Sequence, residues 1–159
     1  MTFEDALTFV LSREGIVSNN PDDAGGLTKF GISSRQYPEV GQSTFTKDNA
    51  IAIYKRDYWD RLKCDNLPWN VALVLFDTAV NHGQAQAVYW LQQALKVKAD
   101  GVVGDATTKA AWAASPDALI DLLVCRAREY ARDVNFLHFG RGWMRRLFLL
   151  QQSLMKGTS

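Results

Sequence analysis

The chain has 159 residues, of which 47% are hydrophobic and 22% charged, and its formal net charge is +1. This is the size of one ordinary globular domain, long enough to bury roughly two thirds of its unfolded surface without a metal or disulfide staple. The near-zero balance excludes a strongly basic nucleic-acid binder. No apolar run approaches the ~20 residues that span a bilayer.

Along the chain, Phe3, Ala6, Leu7, Phe9, Val10 and Leu11 recur at helical spacing and predict a first helix over residues 3–13. Thr2 stands at its cap, Glu4 and Asp5 favour its positive end, and Gly15 stops it. The opening Met-Thr-Phe-Glu-Asp has neither a basic n-region nor an apolar h-region, so no Sec signal peptide is expected. The expected location is therefore the cytoplasm (a host's, for a phage product), with release needed before any action on a cell wall.

Residues 15–45 are rich in Gly, Pro, Asn, Asp, Ser and Thr. Short apolar pieces, Ile16-Val17 and Phe30-Gly31-Ile32, predict small paired strands in a loop and hairpin lobe. A structured loop of this length usually has a function.

Helices are expected for the rest. One starts at Thr46 and runs to about Leu62, with Ile51, Ile53, Tyr54, Tyr58 and Trp59 on its apolar side. Pro68 opens another from Trp69 to about Asn81, apolar nearly all round and therefore a buried central helix, ended by Gly83. Further helices are predicted at 85–95, 105–113, 116–132 and 143–155. The fold class is mainly α: a single lysozyme-like helical domain with a small β-hairpin lobe near the N-terminus. No linker divides residues 1–83 from 84–159, and both are expected in one catalytic domain.

Cys64 and Cys125 form no CxxC pair, and two His complete no zinc pattern. Two free thiols fit a reducing cytoplasm, with one disulfide as the alternative. From Ile120 onward, seven basic residues (Arg126, Arg128, Arg132, Arg141, Arg145, Arg146, Lys156) face three acidic ones, leaving 11 basic and 14 acidic in the remainder. The basic end contacts an anionic envelope or is a solvated helix face. Its apolar residues, Phe139, Trp143, Met144, Leu147, Phe148, Leu149, Leu150 and Leu154, make either an amphipathic helix meeting anionic lipid or lipopolysaccharide, or a last core helix with a basic outer side. No recognition-helix pattern supports nucleic-acid binding, and a monomer is expected.

Glu14 stands at the junction of the first helix and the loop-rich lobe, with Asp23 nine residues later and Thr28 five after that. Helix end, hairpin tip and hairpin return thus each carry a polar group. Glycoside hydrolysis needs a protonated carboxylic acid for the leaving oxygen and a second polar group to orient water or support the oxocarbenium-like transition state. Ile16, Val17 and Phe30 offer an apolar setting that would keep such an acid protonated. The bland alternatives are a solvated helix-terminal Glu and an Asx-turn pair at Asp22-Asp23. A calcium loop at Asn19-Asn20-Asp22-Asp23 lacks the alternating ligands and terminal Glu of an EF-hand.

The wider string Arg13-Glu14-Gly15, Asn20-Pro21, Asp23, Gly25-Gly26, Thr28, Phe30-Gly31-Ile32 resembles the signature of glycoside hydrolase family 108, which contains phage endolysins and bacterial muramidases. Tyr58-Trp59, Leu67-Pro68, Phe76-Asp77, Asn81-His82-Gly83, Leu91-Gln92, Asp100 to Gly104, and Gly142-Trp143 with Arg145 or Arg146 extend the resemblance over nearly the whole chain. The second half resembles that family's C-terminal peptidoglycan-binding segment. The resemblance implies a muramidase acting on peptidoglycan glycan strands, with Glu14 as catalytic acid, Asp23 and Thr28 as its partners, and no metal or cofactor. Ile16 and Val17 depart from the family's usual Gly and Tyr, and Asp22 competes with Asp23 as second carboxylate. A lytic transglycosylase and a silent wall-binding protein are the rival readings.

Sugars are held by aromatic faces and planar hydrogen-bonding groups. Tyr58, Trp59, Asn81, His82 and Gln84 are the groove candidates, against core packing for the aromatics and a helix C-cap for Asn81-His82-Gly83. Asp100 to Asp105 reads as a tight turn feeding a helix, or as a wall-binding motif.

Overall fold

A computed structural model of the chain describes residues 2–12, 17–18 and 27–156. Helix α1 (Phe3–Leu11) begins where the Thr2 backbone N–H donates to Asp5 Oδ2 at 2.8 Å, and it buries Phe3, Ala6, Leu7 and Val10. Three short antiparallel strands follow: β1 (Val17–Ser18), β2 (Thr28–Lys29) and β3 (Ile32–Ser33), in that order across the sheet. Phe30 and Gly31 close the β2–β3 hairpin with φ of 53° and 77°. Two consecutive positive-φ residues are what a two-residue type I′ turn needs. The Tyr54 hydroxyl donates to the Phe30 carbonyl at 3.2 Å, which ties the strained turn to the helical body.

The helix expected over 46–62 divides in two. It runs as α2 (Lys47–Ile53), capped by Thr46 and Asn49, and continues as a π-helical segment Tyr54–Asp60. The reason lies in the aromatics. On an α-helix Tyr54 and Tyr58 share a face and Trp59 points away from it. The wider i→i+5 repeat of a π-helix brings Trp59 round, and all three are buried.

Helix α3 (Trp69–His82) is the central helix that its apolar sequence predicts, with every residue from Val71 to Ala79 buried. Helices α4 (Gln84–Ala94), α5 (Asp105–Trp112), α6 (Pro116–Arg132) and α7 (Phe136–Lys156) follow, with α3 against α4 and α6, α4 against α6, and α6 against α7. One contiguous hydrophobic cluster takes residues from α1 through α7. Helix α7 starts seven residues before the expected 143. The glycines there are not breaks: a Cβ on Gly140 would stand 2.7 Å from the Phe136 ring, so Gly140 is the notch against which that ring lies.

The Asp100–Gly104 turn is organised from within. Buried Gln92 donates Nε2 to Asp100 Oδ1 (2.8 Å), the Val102 carbonyl (3.0 Å) and Thr107 Oγ1 (3.0 Å), and its Oε1 accepts from the Gly101 amide (2.9 Å). The turn's local role is to feed α5. Cys64 and Cys125 are unbridged, and burial pushes the Cys64 thiol well above its ordinary range.

Candidate active site

A polar cleft lies between Gln36, just after the hairpin, and the C-terminal end of α3. Glu14 and Asp23, with Asp22, lie outside the described residues. Thr28 is half-buried on β2, paired with Ser18 of β1 and Ser33 of β3. The sheet that holds it is anchored twice: by Tyr54 on the Phe30 carbonyl, and by Lys29 Nζ donating to the Gln42 carbonyl at 2.8 Å.

The same π-helical segment that tethers the hairpin presents Tyr58 to a cleft of about 360 Å³, lined also by Gln36, Arg61, Ala79, Val80, Gly83 and Gln84. Gln36 hydrogen-bonds the Tyr58 hydroxyl, and burial of the phenol raises its pKa. Gln84 Nε2 donates to the Asp57 carbonyl oxygen at 2.8 Å, which fixes the amide plane at the cleft edge. The Asp57 carboxylate sits behind, held below the usual range first by its hydrogen bonds from Arg56 (2.6 and 2.7 Å) and further by Tyr37. Two carboxamides, a phenol and an exposed guanidinium thus face one recess. Such planar donors and acceptors suit hydroxyl and acetamido groups, and Arg61 suits a carboxylate. Gln36 and Arg61 were not foreseen from sequence, because neither lies in a motif and only the fold brings them to Tyr58.

The five groove candidates do not converge. Tyr58 and Gln84 share the cleft just described. Trp59 turns inward: it is 2% exposed, its ring packs edge-on against Phe3 and Phe76, and its indole N–H donates to Asp65. It supports the cleft wall from behind and offers no face to a ligand. Asn81 and His82 line a different depression of about 330 Å³, with Glu129, Tyr130, Arg132, Asp133 and Trp143. Asn81 Nδ2 donates to the Asp77 carbonyl, as a residue in a last helical turn can. The His82 ring lies 5.1 Å from Trp90 and 4.9 Å from Tyr130, and its pKa falls to about 4, through burial first and then the nearby Arg126.

Below these recesses lies an ionic cluster that sequence reading missed. Asp77, fully buried in α3, accepts from Arg126 of α6 (Nη1 to Oδ2, 2.7 Å) and from Arg146 of α7 (Nε and Nη2 to Oδ1, 3.0 and 2.7 Å). Arg126 also reaches Thr78 Oγ1 and the Tyr130 hydroxyl. Burial alone would push the Asp77 carboxyl up, but the two guanidiniums outweigh it and hold the group below its ordinary range. Two of the seven basic residues of the C-terminal end are therefore internal. The available signal was a lone Asp inside an otherwise apolar helix, which demands a buried partner.

Among the described residues no group of three or more His, Cys, Asp or Glu could hold a metal ion. The described residues define a small, mainly helical protein with a hairpin lobe beside a polar, amide-lined cleft. Residues 7–83 match the family described as Glycosyl hydrolase 108, and residues 86–148 match a family described as a predicted peptidoglycan domain. Among solved structures, SagA of Brucella abortus is similar over 97% of this chain and 94% of its own, with a TM-score of 0.84 and 32% identity. Comparison with curated proteins returns no match. The chain belongs to glycosyl hydrolase family 108, and its two matched segments make it a peptidoglycan hydrolase.

Proposed function

We propose that this chain is a 1,4-β-N-acetylmuramidase of the endolysin type, cleaving between N-acetylmuramic acid and N-acetylglucosamine with Glu14 as general acid. The observation that carries the reading is the family match over residues 7–83, which contains Glu14, Asp23 and Thr28, joined in one chain to the peptidoglycan match over 86–148. Glu14 protonates the glycosidic oxygen as the bond to the anomeric carbon breaks. Asp23 or Thr28 positions the attacking water or supports the positive charge that develops on the ring. Tyr58, Gln36 and Gln84 hydrogen-bond sugar hydroxyl and acetamido groups, and Arg61 faces the acidic substituents of the strand. Neither a metal nor a cofactor enters this reading.

The test is release of reducing ends from purified peptidoglycan by the wild type and by Glu14→Gln. Removal of a general acid predicts a loss of at least ~100-fold. Equal activity of the two proteins shows that Glu14 is not the acid. An inactive wild type that still sediments with the wall makes the chain a silent binding protein. Products lighter by one water make it a lytic transglycosylase.

A further inference from the structure

Helix α7 has two unlike sides. Its inner side supplies Leu147, Leu150 and Leu154 to the core and Arg146 to Asp77. Its outer side carries Leu137, Arg141, Met144, Arg145, Phe148 and Gln152, which follow steps of three or four apart from the adjacent pair Met144-Arg145 and so share one side of the helix. Leu137 is 93% exposed and Phe148 73%. All but Leu137 border a shallow groove of about 540 Å³ whose walls are mainly apolar. Val134, just before the helix, and Phe139 in its first turn are exposed as well. Scattered single apolar residues on a surface need no explanation, but Leu137, Met144 and Phe148 fall on one side of one helix, a side on which Phe139 does not lie.

The charge on this helix is of one sign. Between Phe136 and Lys156 there is no acidic residue, and the outer stripe holds two exposed arginines among its apolar side chains. We infer that the outer face of α7 is a docking surface for an anionic lipid bilayer. Arg141 and Arg145 pair with lipid phosphates through their planar forks. Leu137 and Phe148 sink into the boundary between headgroups and acyl chains, as the apolar side of an interfacial helix does. The helix lies on the surface: among the described residues no helix is long and apolar enough to cross a membrane. A second copy of the chain fits less well, because a two-fold pairing of this stripe would bring arginine against arginine.

The test is co-sedimentation of the full chain with vesicles of phosphatidylglycerol and phosphatidylethanolamine, against vesicles of phosphatidylcholine alone. It needs no wall substrate, so its outcome is separate from that of the muramidase reading. The wild type is expected to bind the anionic vesicles, less at high salt, and to leave phosphatidylcholine largely unbound. Arg141→Glu with Arg145→Glu, and separately Leu137→Ser with Phe148→Ser, should each weaken binding at least about tenfold. All four side chains point to solvent, and circular dichroism checks that the fold persists. As a second readout on otherwise native protein, hydrogen exchange should show α7 protected by anionic vesicles. Absence of binding, equal binding to both vesicle types, or variants that bind like wild type would overturn the proposal. So would binding to lipopolysaccharide alone, or sedimentation velocity showing a dimer that the serine variants dissolve.

Discussion

A single imidazole shows how much of this molecule is set by neighbours remote in sequence. His82 is half-buried between Trp90 and Tyr130, and its Nε2 finds no partner among the described residues. With a pKa near 4 it is a neutral ring at neutral pH, able to give or accept a hydrogen bond at the depression it lines but not to act there as a cation. The sign of its effect on stability follows. The unfolded chain takes up this proton near pH ~6.5, whereas the folded chain resists until about 4. Stability from this group is therefore complete above ~6.5 and erodes as pH falls toward 4. His82→Gln should flatten the pH dependence of Tm in that window, whatever uniform cost it adds. An unchanged slope would place the ring's titration elsewhere. Trp59 teaches a related lesson. Its position beside Tyr58 made both of them groove candidates, but Trp59 packs into the core against Phe3 and Phe76, and only Tyr58 reaches the cleft.

At the scale of elements, most helices were legible because their apolar residues repeat at 3.6, and because Pro68 and Gly83 mark the ends of α3. Gly83 also begins α4 directly, so one residue makes the whole reversal, with φ 81° and ψ 154°. That conformation is almost restricted to glycine. A Cβ there would meet nothing within 4 Å, so the penalty is purely one of backbone. Gly83→Ala should cost about 1–3 kcal/mol in urea unfolding, and it should disturb the cleft whose rim Gly83 forms. A cost within experimental error would mean that the α3–α4 junction relaxes freely. What was not legible has particular causes. The π-helical segment escapes a search for 3.6-residue periodicity, since it matches the face of an α-helix only in part. The first turns of α7 escape because Gly140 and Gly142 resemble a break, and only contact with Phe136 shows that Gly140 is a packing site. A hairpin lobe was legible, but Phe30-Gly31, expected within a strand, is instead the turn between β2 and β3, because both residues take positive φ.

At the scale of the whole molecule, the Asp77 cluster joins the two halves that the family matches separate. Its members are 49 and 69 residues apart, so no local pattern could show that two arginines leave the basic surface to meet this carboxylate. With all three side chains nearly or fully buried, the cluster is less a source of net stability than a lock: it is tolerable complete and costly when broken. Asp77→Ala should destabilise by about 3–5 kcal/mol, because it strands two guanidiniums in the interior. Arg126→Met should approach the same cost, since Arg126 is fully buried, and Arg146→Met should fall below it, since Arg146 keeps some exposure. The combined change Asp77→Leu, Arg126→Met, Arg146→Met removes every charge and should recover much of the loss. Acid separates this cluster from His82. The Asp77 carboxyl titrates below its ordinary range, so its contribution is complete above about pH 4 and is lost only as pH falls further. Urea titrations of the four variants at neutral pH measure the lock directly. Additive losses, with the triple variant worst of all, would mean that each arginine acts alone and that the halves are held together by apolar packing.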